Sequence, residues 1–376
     1  MGVEPALRHT RRAHSSSNLF AREFPVPEIL FPRSAGIDIS DASIKWLVLA
    51  NRESEEKVAT WGEEHLQEGI VAEGMVRDVP ALAAALGAVK SRLGGVYAVH
   101  AALPEEAAYI FDMHVPEGSS RKSILNMIEF ELEGRVPIPP GEAVYDFDVI
   151  SEHGSAGEHI GVVVFPRELS ENYAKAFDMS GIKLLSLEVE ARSVARAVTG
   201  GAENDPVTLV VDFGRMRTGF AVLKGGVPIF SSTVGVGGVA MTRALVEKAG
   251  LTPEEAEKFK DEKGLLVAEG EKNAATEVLV ATASALADEV LRHYRYWDSR
   301  RNEQGQRVTP VENVLLVGGS ANLKGLSDYI SSRVQAPAAL PNVWQHICSF
   351  EEYIPPIDRA TSMQYVTAIG LALRGA

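Results

Sequence analysis

The chain is 376 residues long, 45 % hydrophobic and 23 % charged, a globular composition that predicts two or three domains at roughly 100–200 residues each. Its formal net charge of −14 argues against nonspecific binding to nucleic acid or to an anionic membrane surface. The one cysteine, Cys348, excludes an internal disulfide and a thiolate zinc site, and no run approaches the ~20 apolar residues of a membrane-spanning helix.

Residues 1–33 read as a disordered tail. A basic, Ser-rich run from Arg11 to Ser17 and the prolines Pro25, Pro27 and Pro32 leave too little apolar surface to offset the entropy of ordering. Arg8, His9, Arg11, Arg12 and His14 interrupt any signal-peptide core, and Ala6 stands where a myristoylation signal needs Ser or Thr.

Order is predicted to begin with a strand at Gly36–Ile39, a tight turn over Ser40–Ser43, a second strand at Ile44–Leu49 and a third near Val58–Trp61. Leu82, Leu86, Val89 and Leu93 form one helical stripe, and Val96–Leu103 reads as another strand, closed by Pro104. From Ala107 the texture changes to a small α+β unit. It has strands at Tyr109–Val115, Tyr145–Ile150 and His159–Phe165, with helices at Ser123–Leu132 and Leu169–Met179. The Pro137–Pro140 break stops the first of these helices.

A second lobe starts near Asp205. Val207–Asp212 is apolar enough for a strand buried on both faces, and Thr218–Leu223 and Val227–Thr233 continue as a meander through a Lys224–Gly226 turn. Thr252-Pro253-Glu254-Glu255 is a capping box opening a helix through about Lys260. A long helix follows from Ala274 to Trp297, then a strand at Val314–Val317 and helices at Leu323–Val334 and Met363–Leu373.

Four stretches carry chemistry. In the first, Asp38 ends a strand before the Ser40–Ser43 turn, whose backbone N–H groups can cradle phosphate while Asp38 holds magnesium through water. Lys45 either adds a point charge there or lies on the far face of its strand. The second stretch repeats the pattern: Asp212, then Gly214 to Thr218. Two such hairpins, each opening a lobe, suggest an internal duplication with phosphates between them. Third, Gly318-Gly319-Ser320 follows a strand and lets backbone approach a flat nucleoside. Fourth, Glu257 and Lys260 share one helix face, within reach of a ribose or base unless they are merely a solvated face.

This set resembles the actin/Hsp70/sugar-kinase ATPase superfamily and, within its FtsA-like branch, the PilM family of type IV pilus assembly. The resemblance rests on Gly36–Lys45, on Ile124–Pro139 ending in Val-Pro-Ile-Pro, and on Gly237-Gly238 with Thr242. Ala256–Lys260, Val317–Gly325 and Tyr365–Leu373 complete it, so it spans roughly residues 34–376.

The resemblance implies an α/β, two-lobed actin-like ATPase fold of duplicated ribonuclease-H-like lobes, with a small α+β insert of the SHS2 type. The first-lobe core would be 34–106 with 180–204 and the insert 107–179. The second-lobe core would be 205–240 with 274–376, its last helix returning toward the first lobe, and 241–273 a small subdomain. It further implies ATP and Mg2+ in the interlobe cleft. Asp38 and Asp212 would lie at magnesium, and Ser40, Ser43, Lys45, Gly214, Thr218, Gly237 and Gly238 at phosphates. Glu257, Lys260, Gly318, Gly319 and Ser320 would lie at the nucleoside. The implied partner is the N-terminal peptide of a PilN-like membrane protein, in a groove between first-lobe core and insert. Pilus motor components and self-association are further expectations. The protein would be cytoplasmic, attached to the inner membrane through that partner without inserting, and at most a slow ATPase.

One departure matters. Ser40 and Asp41 replace the family's Gly and Ser, and a carboxylate 4 Å from a phosphate charge opposes it by about 1 to 4 kcal/mol; Arg215 and Arg217 in the opposing turn are expected to offset this. A nucleotide-free scaffold on a degenerate fold is the main alternative. A sugar kinase would need a catalytic Asp between Gly62 and Ala107 in a suitable context, and none stands there. An FtsA-like division protein would carry a membrane-seeking helix after the last core helix, where this chain ends at Gly375-Ala376. The nine histidines are scattered and give no hydrolase triad.

Overall fold

The computed structural model describes residues 34–375 apart from 53–54, 151–156, 202–204, 267–272, 302–304 and 306. The predicted N-terminal tail lies outside the described residues.

The first lobe opens with strands β1 (Ser34–Ile39), β2 (Ser43–Arg52) and β3 (Glu55–His65). A short hairpin of β4 (Val71–Ala72) and β5 (Met75–Val76) leads into helix α1 (Val79–Lys90) and strand β6 (Ala98–Leu103). Asp78 caps α1 by accepting from the Ala81 N–H, with Pro80 in the first turn. Leu93 lies beyond the end of this helix yet is fully buried in the first-lobe core.

The insert follows: β7 (Tyr109–Val115), α2 (Arg121–Arg135), β8 (Ala143–Ile150) and β9 (Glu158–Pro166), with the strands in the order β7-β9-β8. Helix α2 buries Ile124, Ile128 and Leu132 against one sheet face. The chain then returns to the first lobe through α3 (Arg167–Ser180), β10 (Lys183–Val189) and α4 (Glu190–Val198). The other sheet face of the insert meets the second lobe: a Cβ on Gly161 would fall 2.6 Å from Val227 Cγ1 and 2.8 Å from the Pro228 carbonyl.

The second lobe contains β11 (Thr208–Phe213), β12 (Thr218–Lys224) and β13 (Val227–Val234), then α5 (Gly238–Ala249), α6 (Pro253–Glu262) and α7 (Ala274–Ser299). Gly225 and Gly226, at φ 55° and 73°, make the tight turn between β12 and β13. Strand β14 (Asn313–Val317), α8 (Leu326–Val334), β15 (Ala338–Ala339), the short α9 (Arg359–Ser362) and α10 (Val366–Arg374) complete the chain. Helix α8 starts three residues later than its apolar pattern suggests, because a 3₁₀ turn at Gly319–Asn322 and Gly325 at φ 80° precede it. Leu279, Leu286, Val290 and Trp297 of α7 are buried in this lobe, each contributing about 1.5–3 kcal/mol.

The two large sheets have the same topology. Their strand orders are β3-β2-β1-β6-β10 and β13-β12-β11-β14-β15, with the first three strands of each antiparallel and the last two added in parallel. The duplication read from two Asp-bearing hairpins is therefore a duplication of whole sheets. Helix α10 lies on the first-lobe sheet. A Cβ on Gly36 would sit 2.1 Å from the Ala368 carbonyl, and one on Gly370 would sit 1.8 Å from the Ser193 carbonyl, so only glycine permits both approaches. The buried Glu188 clamps this helix. It accepts from Arg196 at 2.7 and 2.8 Å and from Ser193 at 2.8 Å, and it pairs with Arg374 of α10.

Candidate functional site

Asp38 is the penultimate residue of β1, and its ladder neighbour on β2 is Lys45, whose own neighbour on β3 is Glu63. Side chains directly opposite one another share a sheet face, so Lys45 lies on the Asp38 side, which decides between its two sequence readings. Its Nζ donates to Ser43 Oγ at 3.0 Å and pairs with Glu63 at 3.3 Å. The turn itself is tighter than its composition implies. Ser40 Oγ accepts from the Ser43 N–H at 3.1 Å and the Ala42 N–H at 3.4 Å, so two N–H groups expected to face phosphate are held by Ser40.

In the second lobe, Asp212 is the penultimate residue of β11, the matching place. Gly214 N–H donates to the Arg217 carbonyl at 3.0 Å, and the buried Thr218 hydroxyl donates to the Val236 carbonyl at 2.6 Å. Gly237 and Gly238, at the N-terminus of α5, press against this turn. The Gly238 N–H donates to the Gly214 carbonyl and the Val239 N–H to the Arg215 carbonyl, each at 3.0 Å. A Cβ on Gly238 would fall 2.2 Å from Ser320 Oγ, which itself donates to the Gly214 carbonyl at 3.0 Å. Gly318, at φ 87°, leaves no room for a Cβ beside Asp212. Gly319 is more open, its nearest neighbour across the turn being Gln364.

Glu257 and Lys260 are not a merely solvated face. Lys260 Nζ donates to Thr242 Oγ1 at 2.8 Å, to Glu257 at 2.9 Å and to the Gly238 carbonyl at 3.4 Å, while Thr242 donates to Glu257 at 2.6 Å. Although burial opposes it, these hydrogen bonds hold the Glu257 carboxyl below the usual carboxylate range, helped by the charges of Lys260 and Arg215. Arg215 thus acts on Glu257, and Arg217 alone reaches Asp41. The second turn, the Gly318–Ser320 turn and the α6 pair are thus joined by direct contacts through the α5 terminus, and Asp38 of the first stretch faces Asp212 from the first lobe.

Two carboxylates that the sequence reading did not single out join Asp38 and Asp212. Glu105 follows β6 and is 7 % exposed; its Oε1 is buried without a hydrogen-bond partner. Glu190 opens α4 and accepts from the Glu105 N–H at 3.3 Å. Desolvation, then the charge of Asp212, pushes Glu105 well above the usual range; desolvation and the charges of Asp38, Glu105 and Asp212 do the same to Glu190. Burial raises Asp38 against the pull of Lys45, and burial together with Asp38 raises Asp212 to about 6. The only sequence signal for these two was an acidic residue just past the end of a parallel strand, Leu103-Pro104-Glu105 and Val189-Glu190.

This concentration of like charge favours a cation. Among the described residues no group of three or more His, Cys, Asp or Glu side chains is placed to hold a metal ion, so the set suits a cation carried by phosphates and water rather than one bound directly. The glycine-walled turns and the unpartnered Glu105 oxygen also suit a polar ligand of that kind. The open depression lined by Asp328, Ser331, Gln335 and Pro337 shares none of these residues.

A family profile described as type IV pilus assembly protein PilM matches residues 36–376. In structure the chain is similar to one from a PilM–PilN type IV pilus biogenesis complex, with TM-score 0.74 and 20 % identity over 92 % of this chain and 99 % of that one. It is also similar to the ethanolamine utilization protein EutJ from Carboxydothermus hydrogenoformans (TM-score 0.52, 18 % identity, 91 % and 89 % covered). A third similar structure is MreB5 of Spiroplasma citri bound to ADP (TM-score 0.50, 12 % identity, 90 % and 95 % covered). The fold is thus the two-lobed actin-like one that the sequence resemblance implied.

Proposed function

The chain belongs to the type IV pilus assembly protein PilM family, and on that premise we propose that it is an adaptor of a pilus assembly machine that holds ATP–Mg2+ between its lobes and a PilN-like N-terminal peptide on its first lobe. The observation that carries the nucleotide half is the matched pair of strand-end carboxylates, Asp38 and Asp212, each followed by a small-residue turn and facing each other where two equivalent sheets meet. Bound magnesium would neutralise phosphate charge and relieve the repulsion among these carboxylates. Ser43, Lys45, Gly214, Thr218, Gly237 and Gly238 would then border the phosphates, and Gly318, Gly319, Ser320, Glu257 and Lys260 the nucleoside.

The peptide half rests on family membership and on the likeness to the PilM–PilN complex. Two strands that end their sheets among the described residues suit an extended peptide: β10 of the first lobe, where Leu185 is exposed, and β8 of the insert, where Val144 and Val149 are exposed. No described helix is long and apolar enough to cross a membrane, so attachment to the inner membrane would run through the partner. Links to motor components and self-association belong to the same proposal. Fluorescence anisotropy of a labelled PilN-type N-terminal peptide, with and without ATP–Mg2+, tests it. Saturable binding that alanine at Leu185 or Val149 weakens supports the adaptor; no binding in either condition contradicts it.

The ion pair between Asp41 of the first lobe and Arg217 of the second favours a second reading, a scaffold whose lobes need no nucleotide.

A further inference from the structure

Asp41 does not point at open space beside the phosphate turn. Its Oδ1 accepts from the Gly74 N–H at 3.0 Å and its Oδ2 from the Glu73 N–H at 3.1 Å. Both donors sit at the apex of the β4–β5 hairpin, where Glu73 and Gly74 take positive φ of 53° and 71°. The buried Tyr173 hydroxyl pins that apex by donating to the Gly74 carbonyl at 2.9 Å. Glu106 lies against the same apex: a Cβ on Gly74 would come 2.6 Å from its Oε1. Hairpin, turn and Glu106 are therefore one fixed first-lobe surface that presents two carboxylates to the second lobe.

Arg217 answers both. Its two terminal nitrogens go separately to Asp41 and to Glu106, so the planar guanidinium fixes the two carboxylates in one fork geometry. The three side chains keep only 18–24 % of their surface exposed, so salt screens these pairs less than it would open surface pairs. Deeper in the cleft, Asp38 of the first lobe raises the Asp212 carboxyl of the second, and Asp212 in turn raises Glu105 and Glu190, so these groups supply no attraction between the lobes. The ion cluster at the two turns supplies it.

We propose that Asp41, Glu106 and Arg217 form an interlobe clasp that keeps the two lobes closed on each other in the absence of nucleotide. This goes beyond the nucleotide reading and stands or falls separately from it. The clasp also turns the Asp41 departure into a device: the charge expected to oppose a phosphate is already matched by a cation from the opposite lobe.

The test is a distance measurement on the full chain. Spin labels are placed at Glu68→Cys in the first lobe and Asp261→Cys in the second, in a Cys348→Ser background, and read by pulsed electron resonance without nucleotide. The clasped chain gives one narrow distribution, whereas Arg217→Gln and Asp41→Asn each give a broader distribution displaced by several ångströms. Distributions unchanged in both variants, or an equally broad one in the parent, overturn the clasp. Asp41→Asn keeps the side-chain shape, and circular dichroism confirms that each variant is folded. ATP–Mg2+ added to the opened variants reports on the nucleotide reading: narrowing supports both claims, while open variants that ignore ATP–Mg2+ support the clasp and count against the nucleotide.

Discussion

Asp212 and Gly318 stand so close that a β-carbon on Gly318 would lie 2.3 Å from Asp212 Oδ1. The strand-end carboxylate of the second lobe and the turn after the neighbouring parallel strand are thus one piece of structure, with glycine as the condition for their meeting.

Gly318→Ala should therefore damage stability and site together. The backbone at φ 87°, ψ 157° lies in a region that essentially only glycine adopts and costs roughly 1–3 kcal/mol for an L side chain, and the clash with Asp212 and the Phe213 carbonyl adds to it. Urea unfolding should show a loss above about 1 kcal/mol. Gly134→Ala, in the exposed last turn of α2 with nothing near its Cβ, should instead be neutral or gain up to about 1 kcal/mol.

Asp212 predicts a pH dependence. Its carboxyl is raised from 3.8 to about 6 by burial and by Asp38, so the folded chain binds the proton more tightly than the unfolded one. The penalty on folding is absent well below pH 3.8, grows as pH rises to about 6, and then stays constant at a value on the order of 3 kcal/mol. Asp212→Asn should be more stable than the parent at pH 8, with the difference vanishing below pH 4. Denaturant midpoints across that range check the sign; a less stable variant at pH 8 would show that the native carboxylate is favourably paired.

Glu188 predicts the opposite slope. Although burial opposes it, hydrogen bonds from Arg196 and Ser193 and the charge of Arg374 hold its carboxyl below 4.5. Its contribution is present above pH 4.5 and is lost as pH falls through the depressed native value. Glu188→Ala should cost about 1.5–3 kcal/mol at neutral pH, releasing α10 first. Hydrogen exchange in Val366–Arg374 should rise more than in β11.

The lobes were legible because their signals are local and repeated. Alternating or continuous apolar runs, Asp-bearing turns and the Thr252–Glu255 capping box each name one element, and the structure contains each. Helix α5 and strand β10 were not anticipated. Gly237-Gly238 reads as a loop until the Gly214 and Arg215 carbonyls receive its N–H groups, and β10, as a sheet edge, is too exposed for a clean apolar pattern. Glu105, Glu190 and the Arg217 fork were hidden for a different reason. Each takes its meaning from a residue of the other lobe, or from a strand far along the chain, and spacing does not encode that distance. Asp41 is the instructive case: its charge was visible in sequence, but its partners, the hairpin N–H groups at residues 73 and 74 and Arg217, were not.

We propose that the paired carboxylates Asp38 and Asp212 hold ATP–Mg2+. Isothermal calorimetry of the full chain with ATP–Mg2+ tests it most directly, run beside Asp212→Asn at pH 8, where that variant is folded. Micromolar binding in the parent, lost or weakened at least tenfold in the variant and abolished by chelating the metal, is the predicted result. No heat of binding in the parent, or equal binding in the variant, would contradict the claim and leave a closed, nucleotide-free scaffold.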